Sequence, residues 1–282
     1  TPCGTLFPYT TLFRSIPQIT SKAADTGKIP AGKYVIHANT PSYVGSHVTG
    51  FANMTKAMVD YFSAAAGKKS RRVNIIPGYV EPSDMEEVKR IAQLMEIASI
   101  VFPDTSNVLN RPQTGRFDMF PKGGVTIEAL KSTGDSIGTI ALGPLASGPA
   151  ALALDTKCKV PCEILELPIG LKSTDRFVDA IRRLAGVSVP DEITIERGRL
   201  LDIITDMHQY FFRKKVALIG DPDQLVPLAE FLVSIDMWPI HIVTGTPGKK
   251  FEKQLREITG GIPHPVNIRA GGDMFLWHQW IK

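Results

Sequence analysis

Hydroxyl, imidazole and glycine residues are concentrated in one loop, which runs from Thr40 to Gly50. It follows an apolar run, Tyr34–Asn39, that predicts a buried strand, and it precedes a predicted helix from Phe51 to Ala65. Ligands bind beyond the carboxyl ends of strands in open α/β sheets, which makes Ser42 and His47 candidate binding residues. The same hydroxyls could instead cap the following helix, and spacing alone favours this second interpretation.

Asp202 and Asp206 form the second candidate site. They lie one helical turn apart in a long predicted helix, from Asp191 to about Phe212, so their carboxylates share one face. Paired carboxylates suit a hard cation such as Ca²⁺. A solvated polar face is the alternative, and it is the default interpretation of such a pair.

Three glycine-containing segments have the composition of phosphate-binding loops without their spacing. Gly220–Asp223 ends a predicted strand and opens a helix, but it is not GxGxxG. Asp221 or Asp223 is predicted to cap that helix. Thr244–Lys250 lacks the GxxxxGK[ST] spacing of ATPases. Lys122–Thr126 could offer backbone N–H groups to an anion at a helix start, but a plain turn is the favoured prediction.

Strand-like and helix-like segments alternate along the rest of the chain. This alternation predicts βαβ units and parallel sheets, and therefore an α/β protein of Rossmann-like or flavodoxin-like domains. Further helices are predicted at Pro149–Thr156 and Asp175–Ala185. The first predicted helix, from Phe51 to Ala65, is expected to bury Phe51, Met54, Met58, Tyr61 and Phe62. The later predicted strands are Val73–Pro77, Ala98–Phe102, Gly138–Leu142, Cys162–Leu167, Val216–Ile219, Pro239–Val243 and Pro265–Ile268.

Four segments are predicted along the chain. Residues 1–15 are unlike the remainder and are interpreted as a non-native N-terminal segment, and residues 16–50 as the end of an upstream domain that carries the loop. Residues 51–187 and 188–282 are predicted to form two α/β domains. No strand follows the last predicted helix, so the fold is expected to be incomplete at both ends.

Composition excludes several classes of function. The formal charge of +4 over 282 residues is mild and dispersed, which argues against nucleic acid as a partner. No apolar run approaches the roughly 18 residues of a membrane span. Only three cysteines occur, which favours a reducing compartment such as the cytoplasm. Cys158 and Cys162 are spaced CxxxC, and Cys162 is expected to be a buried small hydrophobe.

The string HANTPSYVGSHVTGF, from His37 to Phe51, resembles the serine-bearing segment of the nitrogenase molybdenum-iron protein β subunits. The similarity, which is to the short, anaerobe-type form, covers nearly everything from Ile16 to Lys282, in order. It is carried by IPGYVEPSDMEEVKRI, FPDTSNVL, FPKGGVTIEALKSTGDS, CKVPCEILELPIGL, ERGRLLDIITD, KKVALIGDPD, IVTGTPGKKF and HQWIK.

This resemblance implies the nitrogenase component 1 fold and a place in an α2β2 enzyme that reduces dinitrogen to ammonia. Ser42 matches the serine that contacts the [8Fe-7S] P-cluster, which is shared with the α subunit. Asp202 and Asp206 match ligands of a mononuclear calcium or iron where two β subunits meet. The implied partners are the α subunit with its FeMo cofactor, a second β subunit and the iron protein. The family's cysteine ligands have no match here, so this chain alone is expected to be inactive.

Related proteins offer alternatives. Cofactor-assembly scaffolds, alternative nitrogenases and light-independent chlorophyll-pathway reductases share the fold, but TPSYVGSHVTG together with ERGRLLDIITD favours the molybdenum β subunit. An alternative of another class is a non-catalytic α/β module that binds a small anion. Such a module would act without a partner or a cluster.

Overall fold

The computed structural model describes residues 45–112, 114–115 and 121–281, and before them 18–19, 21–22, 25–27, 29 and 32–40. Ser42 and the segment 1–15 lie outside the described residues. Among the residues that are described, no helix is both long and apolar enough to cross a bilayer.

Strands and helices alternate through the described chain. The strands are β1 Arg72–Ile76, β2 Ala98–Val101, β3 Gly138–Leu142, β4 Cys162–Leu165, β5 Lys215–Ile219, β6 Trp238–Thr244 and β7 Asn267–Ala270. The helices are α1 His47–Phe62, α2 Pro82–Leu94, α3 Ile127–Lys131, α4 Pro144–Cys158, α5 Gly170–Ala185, α6 Asp191–Phe211, α7 Pro222–Ser234, α8 Lys249–Thr259 and α9 Met274–Ile281.

The first sheet has the order β2-β1-β3-β4, and all its strands are parallel. Its central strand β3 is buried along its whole length. Alternate residues of β1 face opposite sides of the sheet, as the pleat requires. Val73 and Ile75 pack with residues of α2 and α5, while Ile76 packs with residues of α1 and α4. The sheet is therefore covered by helices on both faces, as parallel sheets usually are.

The second sheet has the order β5-β6-β7 and is also parallel. Its core is formed by residues of the strands together with α7 and α8, including Leu225, Ile242 and Leu255. The predicted parallel α/β architecture is thus observed as two separate sheets. The predicted boundaries at residues 50/51 and 187/188 stay predictions.

Helix α6 has 21 residues, and none of them is buried. Two forked ion pairs join its first half to the first sheet's helices. Arg90 donates to both carboxylate oxygens of Glu196 at 2.9 and 2.7 Å. Arg197 donates to both carboxylate oxygens of Asp175 at 2.8 and 2.9 Å. The second half of α6 carries exposed apolar side chains such as Ile203 and Tyr210.

The predicted strand Tyr34–Asn39 is wrong, because residues 33–40 have no regular secondary structure. A strand needs a hydrogen-bonded partner, and this segment contacts helices instead. The ring of Tyr34 packs edge-on against Phe62 at 5.3 Å between centroids, and the Tyr61 hydroxyl lies 2.6 Å from Nδ1 of His37. Apolar composition alone did not distinguish a strand within a sheet from an irregular segment that packs against helices.

Two helix predictions also need correction. Helix α1 begins at His47 rather than Phe51, and it buries Val48, Ala52, Thr55, Val59 and Phe62. Met54 and Tyr61 are exposed by 39% and 42%. Small residues face inward because α1 packs closely against the Ala-rich α4. Helix α4 in turn begins at Pro144, and Pro149, which was expected to open it, lies inside it.

Replacing Leu154 by alanine is predicted to destabilise the protein by about 2–5 kcal/mol, because its side chain is fully buried in α4 between the sheet and α1. Leu152, two residues earlier in the same helix, is 53% exposed and provides the matched control. Its replacement by alanine should change the unfolding free energy by less than about 0.5 kcal/mol. Urea denaturation of both variants measures the difference, and equal losses would contradict this packing.

Candidate functional site

The first described residues after Ser42 are Gly45, Ser46 and His47, where the loop enters helix α1. Ser46 occupies the N-cap position, but its side chain makes no capping hydrogen bond. Its Oγ atom is buried and has no hydrogen-bond partner among the described residues. The loop therefore presents a polar atom that a bound group could satisfy.

His47 ties this end of the loop to the second sheet. Its Nε2 lies 3.0 Å from Oδ2 of Asp221, which follows strand β5. The imidazole also packs edge-on against Tyr79, with 5.2 Å between ring centroids. The observed partner is a carboxylate 174 residues further along the chain.

Asp202 and Asp206 both lie on α6 and both are exposed. Within the described ranges, no group of three or more His, Cys, Asp and Glu side chains could hold a metal ion. The pair offers oxygen atoms of the kind that Ca²⁺ prefers, but six to eight ligands are the rule for that ion. The two aspartates by themselves would supply only part of such a coordination shell.

Asp221 or Asp223 was predicted to cap the helix that follows them, α7, and this prediction is wrong. Asp221 is the N-cap residue of α7, yet its side chain makes no capping bond there and bonds to His47 instead. Asp223 caps a different helix. Its carboxylate accepts hydrogen bonds from the backbone N–H groups of Leu145 at 3.0 Å and Ala146 at 2.8 Å, in the first turn of α4.

A cleft between the two sheets opens beside Asp223. Its cavity of about 180 Å³ is lined by residues following β3, β4 and β6 and by the start of α7 and α8, among them Glu166, Asp223, Lys250 and Gln254. Sequence reasoning missed Glu166 as a residue of this cleft. Its carboxylate accepts a hydrogen bond from Nε2 of Gln254 at 3.3 Å.

Burial determines the electrostatics of this cleft. Burial raises the pKa of Glu166, and the neighbouring charge of Asp223 raises it further. Burial also raises the pKa of Asp223, while the N–H groups of Leu145 and Ala146 and the charge of Lys250 act in the opposite direction. The cleft therefore holds two carboxyl groups that take up protons more readily than exposed ones do.

The two described cysteines are free thiols in the first sheet's core. Cys158 is buried, whereas Cys162, which was predicted to be buried, is only partly buried. Burial raises the pKa of both thiols. Within the described ranges, neither cysteine belongs to a group of three or more side chains that could hold a metal ion.

One serine motif proves to be structural. Residues 134–138 spell GDSIG, which has the spacing of a nucleophile elbow. The string precedes strand β3 rather than following a strand, and the buried Ser136 hydroxyl donates to Oδ1 of Asn74 at 2.8 Å. This serine completes a buried polar network and is not presented to a substrate.

Comparison with known proteins gives a consistent result. The sequence model of the family described as nitrogenase component 1 type oxidoreductase matches residues 14–282. The molybdenum-iron protein beta chain of Clostridium pasteurianum is 48% identical over 274 residues, 96% of this chain and 60% of that protein. The beta chain of Frankia alni is 33% identical over 86% of this chain and 48% of its own length. The chain thus spans 60% or less of these relatives.

A solved structure described as nitrogenase Cp1 at pH 6.5 superposes with a TM-score of 0.94 at 48% identity, covering 96% of this chain and 60% of that chain. A second, described as nitrogenase Cp1 at pH 5, has a TM-score of 0.60 at 14% identity and covers 88% and 50%. At that identity the second match concerns the fold alone. The expected α/β fold class and the resemblance to molybdenum-iron β subunits are both confirmed.

Replacing Glu166 by glutamine is predicted to stabilise the protein at neutral pH. A carboxyl group whose pKa is raised by folding contributes stability below its ordinary value, near 4.5, and loses it as pH rises through the folded-state pKa. Glutamine resembles the protonated form and can still accept from Gln254. The free energy of unfolding of the variant should therefore rise relative to that of the wild type as pH rises from about 4.5 to 7.

Urea denaturation across this pH range tests the prediction, with Glu257→Gln as the control because its side chain is 67% exposed. The control should follow the wild type at every pH. A Glu166→Gln variant that is less stable than the wild type at pH 7 would show that the charged carboxylate is held favourably.

Proposed function

Because the chain belongs to the family of nitrogenase component 1 type oxidoreductases, we propose that it acts as the β chain, or part of the β chain, of a molybdenum-iron nitrogenase. The enzyme would be an α2β2 complex in the cytoplasm that reduces dinitrogen to ammonia. The observation that carries this proposal is the 48% identity to a molybdenum-iron β chain over nearly the whole sequence. The chain's own part would be electron relay and subunit assembly.

Ser42 is the residue proposed to meet the P-cluster. When bound, the [8Fe-7S] cluster shared with an α subunit would carry electrons from the iron protein towards the FeMo cofactor. A serine hydroxyl can bind iron as an alkoxide because the charge of the metal lowers its pKa. Two features of the neighbourhood support the role. Ser46 Oγ is buried without a hydrogen-bond partner in the described part of the chain, and Asp221 anchors His47.

Cluster ligands other than Ser42 would come from outside the described residues. Iron–sulfur clusters are held mainly by cysteine thiolates. Cys158 and Cys162 do not meet this requirement, since neither belongs to a group of three or more possible metal ligands among the described residues. We therefore propose that Ser42 contacts the cluster and that the cysteines of the described core do not.

Helix α6 is proposed to meet a second β subunit. Asp202 and Asp206 would supply carboxylate oxygens to a mononuclear calcium or iron ion, and the partner would complete the coordination. Exposed apolar residues on the same helix, including Ile203, Met207 and Tyr210, suit a protein contact better than a solvated surface. This placement also accounts for a long helix with no buried residue.

Substitution of Ser42 by alanine is predicted to change the EPR spectrum of the oxidised protein while iron is retained, because the hydroxyl tunes the cluster and cysteines would hold it. The test extends the chain upstream to the length of its relatives and co-expresses it with an α subunit and assembly factors. Ser83→Ala, an exposed serine in α2, is the control. A soluble α/β complex that retains no iron in any variant would favour an assembly scaffold or a binding module.

Substitution of both Asp202 and Asp206 by asparagine is predicted to remove the mononuclear metal and to weaken the β/β contact about tenfold, equivalent to ~1.4 kcal/mol. Metal analysis and native mass spectrometry of the same assembled complex measure both quantities. Glu192→Gln changes an exposed carboxylate at the start of the same helix and should leave metal content and assembly unchanged. Full retention of the metal by the double variant would refute the assignment.

A further inference from the structure

The proposed function does not account for the paired aspartates that follow strand β5. Both carboxylates of the segment 220–223 turn away from their own helix and bond to the first sheet's helices. Asp221 reaches the first turn of α1 through His47, and Asp223 reaches the first turn of α4. Two adjacent side chains thus join the sheets at two separate helix starts.

The first turn of α4 occupies a particular place in the fold. The chain leaves β1 for β2 on one side and then returns to β3 and β4 on the other, so the strand order reverses between β1 and β3. In doubly wound sheets this reversal forms the crevice in which anionic ligands bind, at the start of the helix that follows the strand. Helix α4 directly follows β3 at this crevice.

Asp223 occupies the position that a bound anion would take. Each of its carboxylate oxygens accepts one N–H group, from Leu145 at 3.0 Å and from Ala146 at 2.8 Å. The residue is only 7% exposed. This forked contact is the geometry in which a helix N-terminus holds a free carboxylate or phosphate oxygen pair.

The neighbouring backbone is shaped around this carboxylate. Gly143, which precedes α4, has a φ of +78°, and a Cβ atom placed on it would lie 2.8 Å from Oδ2 of Asp223. Both the conformation and the space therefore call for glycine at this position. A close backbone approach of this kind is what phosphate-binding turns use glycine for.

We propose that Asp223 is a built-in anion: its carboxylate permanently fills the anion-binding position at the start of α4 and so clamps the second sheet onto the first. The flavodoxin-like crevice is thereby closed to phosphates and nucleotides. The buried carboxylate and the more exposed His47–Asp221 pair join the two sheets beside the ion pairs of Glu230 with Lys172 and Arg176. The charges that face Asp223 are those of Asp221, Lys250 and Glu166.

Amide hydrogen exchange of the full chain tests the proposal, with Asp223→Ala as the vacating variant. Without the carboxylate, the first-turn amides of α4 should exchange at least about tenfold faster, because they lose their acceptor. Millimolar formate, a free carboxylate of the same shape, should restore slow exchange in this variant alone. Sodium chloride at equal ionic strength should not, since chloride lacks the two oxygen atoms of the fork.

Two further variants keep the test decisive. Asp223→Asn fills the same space but can accept only one of the two N–H bonds, so it should speed exchange of the first turn and show no response to formate. Asp84→Asn is the control, because Asp84 accepts from the backbone of Glu81 within a single helix start. It should leave the α4 amides unchanged.

Local loss of protection in Asp223→Ala that formate reverses is the expected result. If the α4 amides stay protected in Asp223→Ala, or if formate has no effect on a folded Asp223→Ala protein, the built-in anion is refuted. If Asp223→Ala unfolds globally, Asp223→Asn decides: faster exchange confined to the first turn supports the proposal, and unchanged exchange overturns it. These measurements involve neither a metal cluster nor an α subunit, so their outcome is independent of the proposed function.

Discussion

Parallel pairing of β3 with both β1 and β4 is the constraint on which the rest of the structure depends. The strand is buried along its whole length, and its register with both neighbours is continuous. Parallel strands cannot be joined by a short turn, so each is followed by a helix that crosses over the sheet. All the connecting loops after the strands therefore emerge at one edge. Gly143, Glu166 and the loop after Ile76 lie there because of this rule.

Much of this architecture could be predicted from the sequence, and the reason is physical. Val73–Ile76 and Gly138–Leu142 are short apolar runs between turn residues, and such runs become buried central strands. Tyr34–Asn39 shows the limit of the rule, because an apolar run becomes a strand only where another strand lies beside it. The small inward residues of α1 were missed for a similar reason: their partner α4 is distant in sequence.

The candidate site was predictable only where chemistry is local. The shared face of Asp202 and Asp206 follows from helical spacing, and the observed helix carries both. Their proposed metal, like the proposed cluster contact of Ser42, depends on resemblance rather than on spacing. Asp223 was predicted to cap a helix, but rules based on neighbouring residues assigned it to the nearest helix along the chain. Its real partner amide, that of Ala146, lies 77 residues earlier, and no sequence pattern links the two.

The attachment of α6 has a consequence for how the protein responds to its solvent. This helix contributes no buried side chain, and its forked links, from Glu196 to Arg90 and from Arg197 to Asp175, lie at the surface. Exposed ion pairs of this kind contribute about 0.2–1 kcal/mol, and dissolved ions weaken them because the Debye length is only about 10 Å at 0.1 M. The aspartate pair that α6 presents is therefore held in part by interactions that depend on ionic strength, beside the partly buried Ile193 that packs against the first core. Salt concentration in the medium becomes a variable that sets how firmly this helix is oriented before any neighbour covers it.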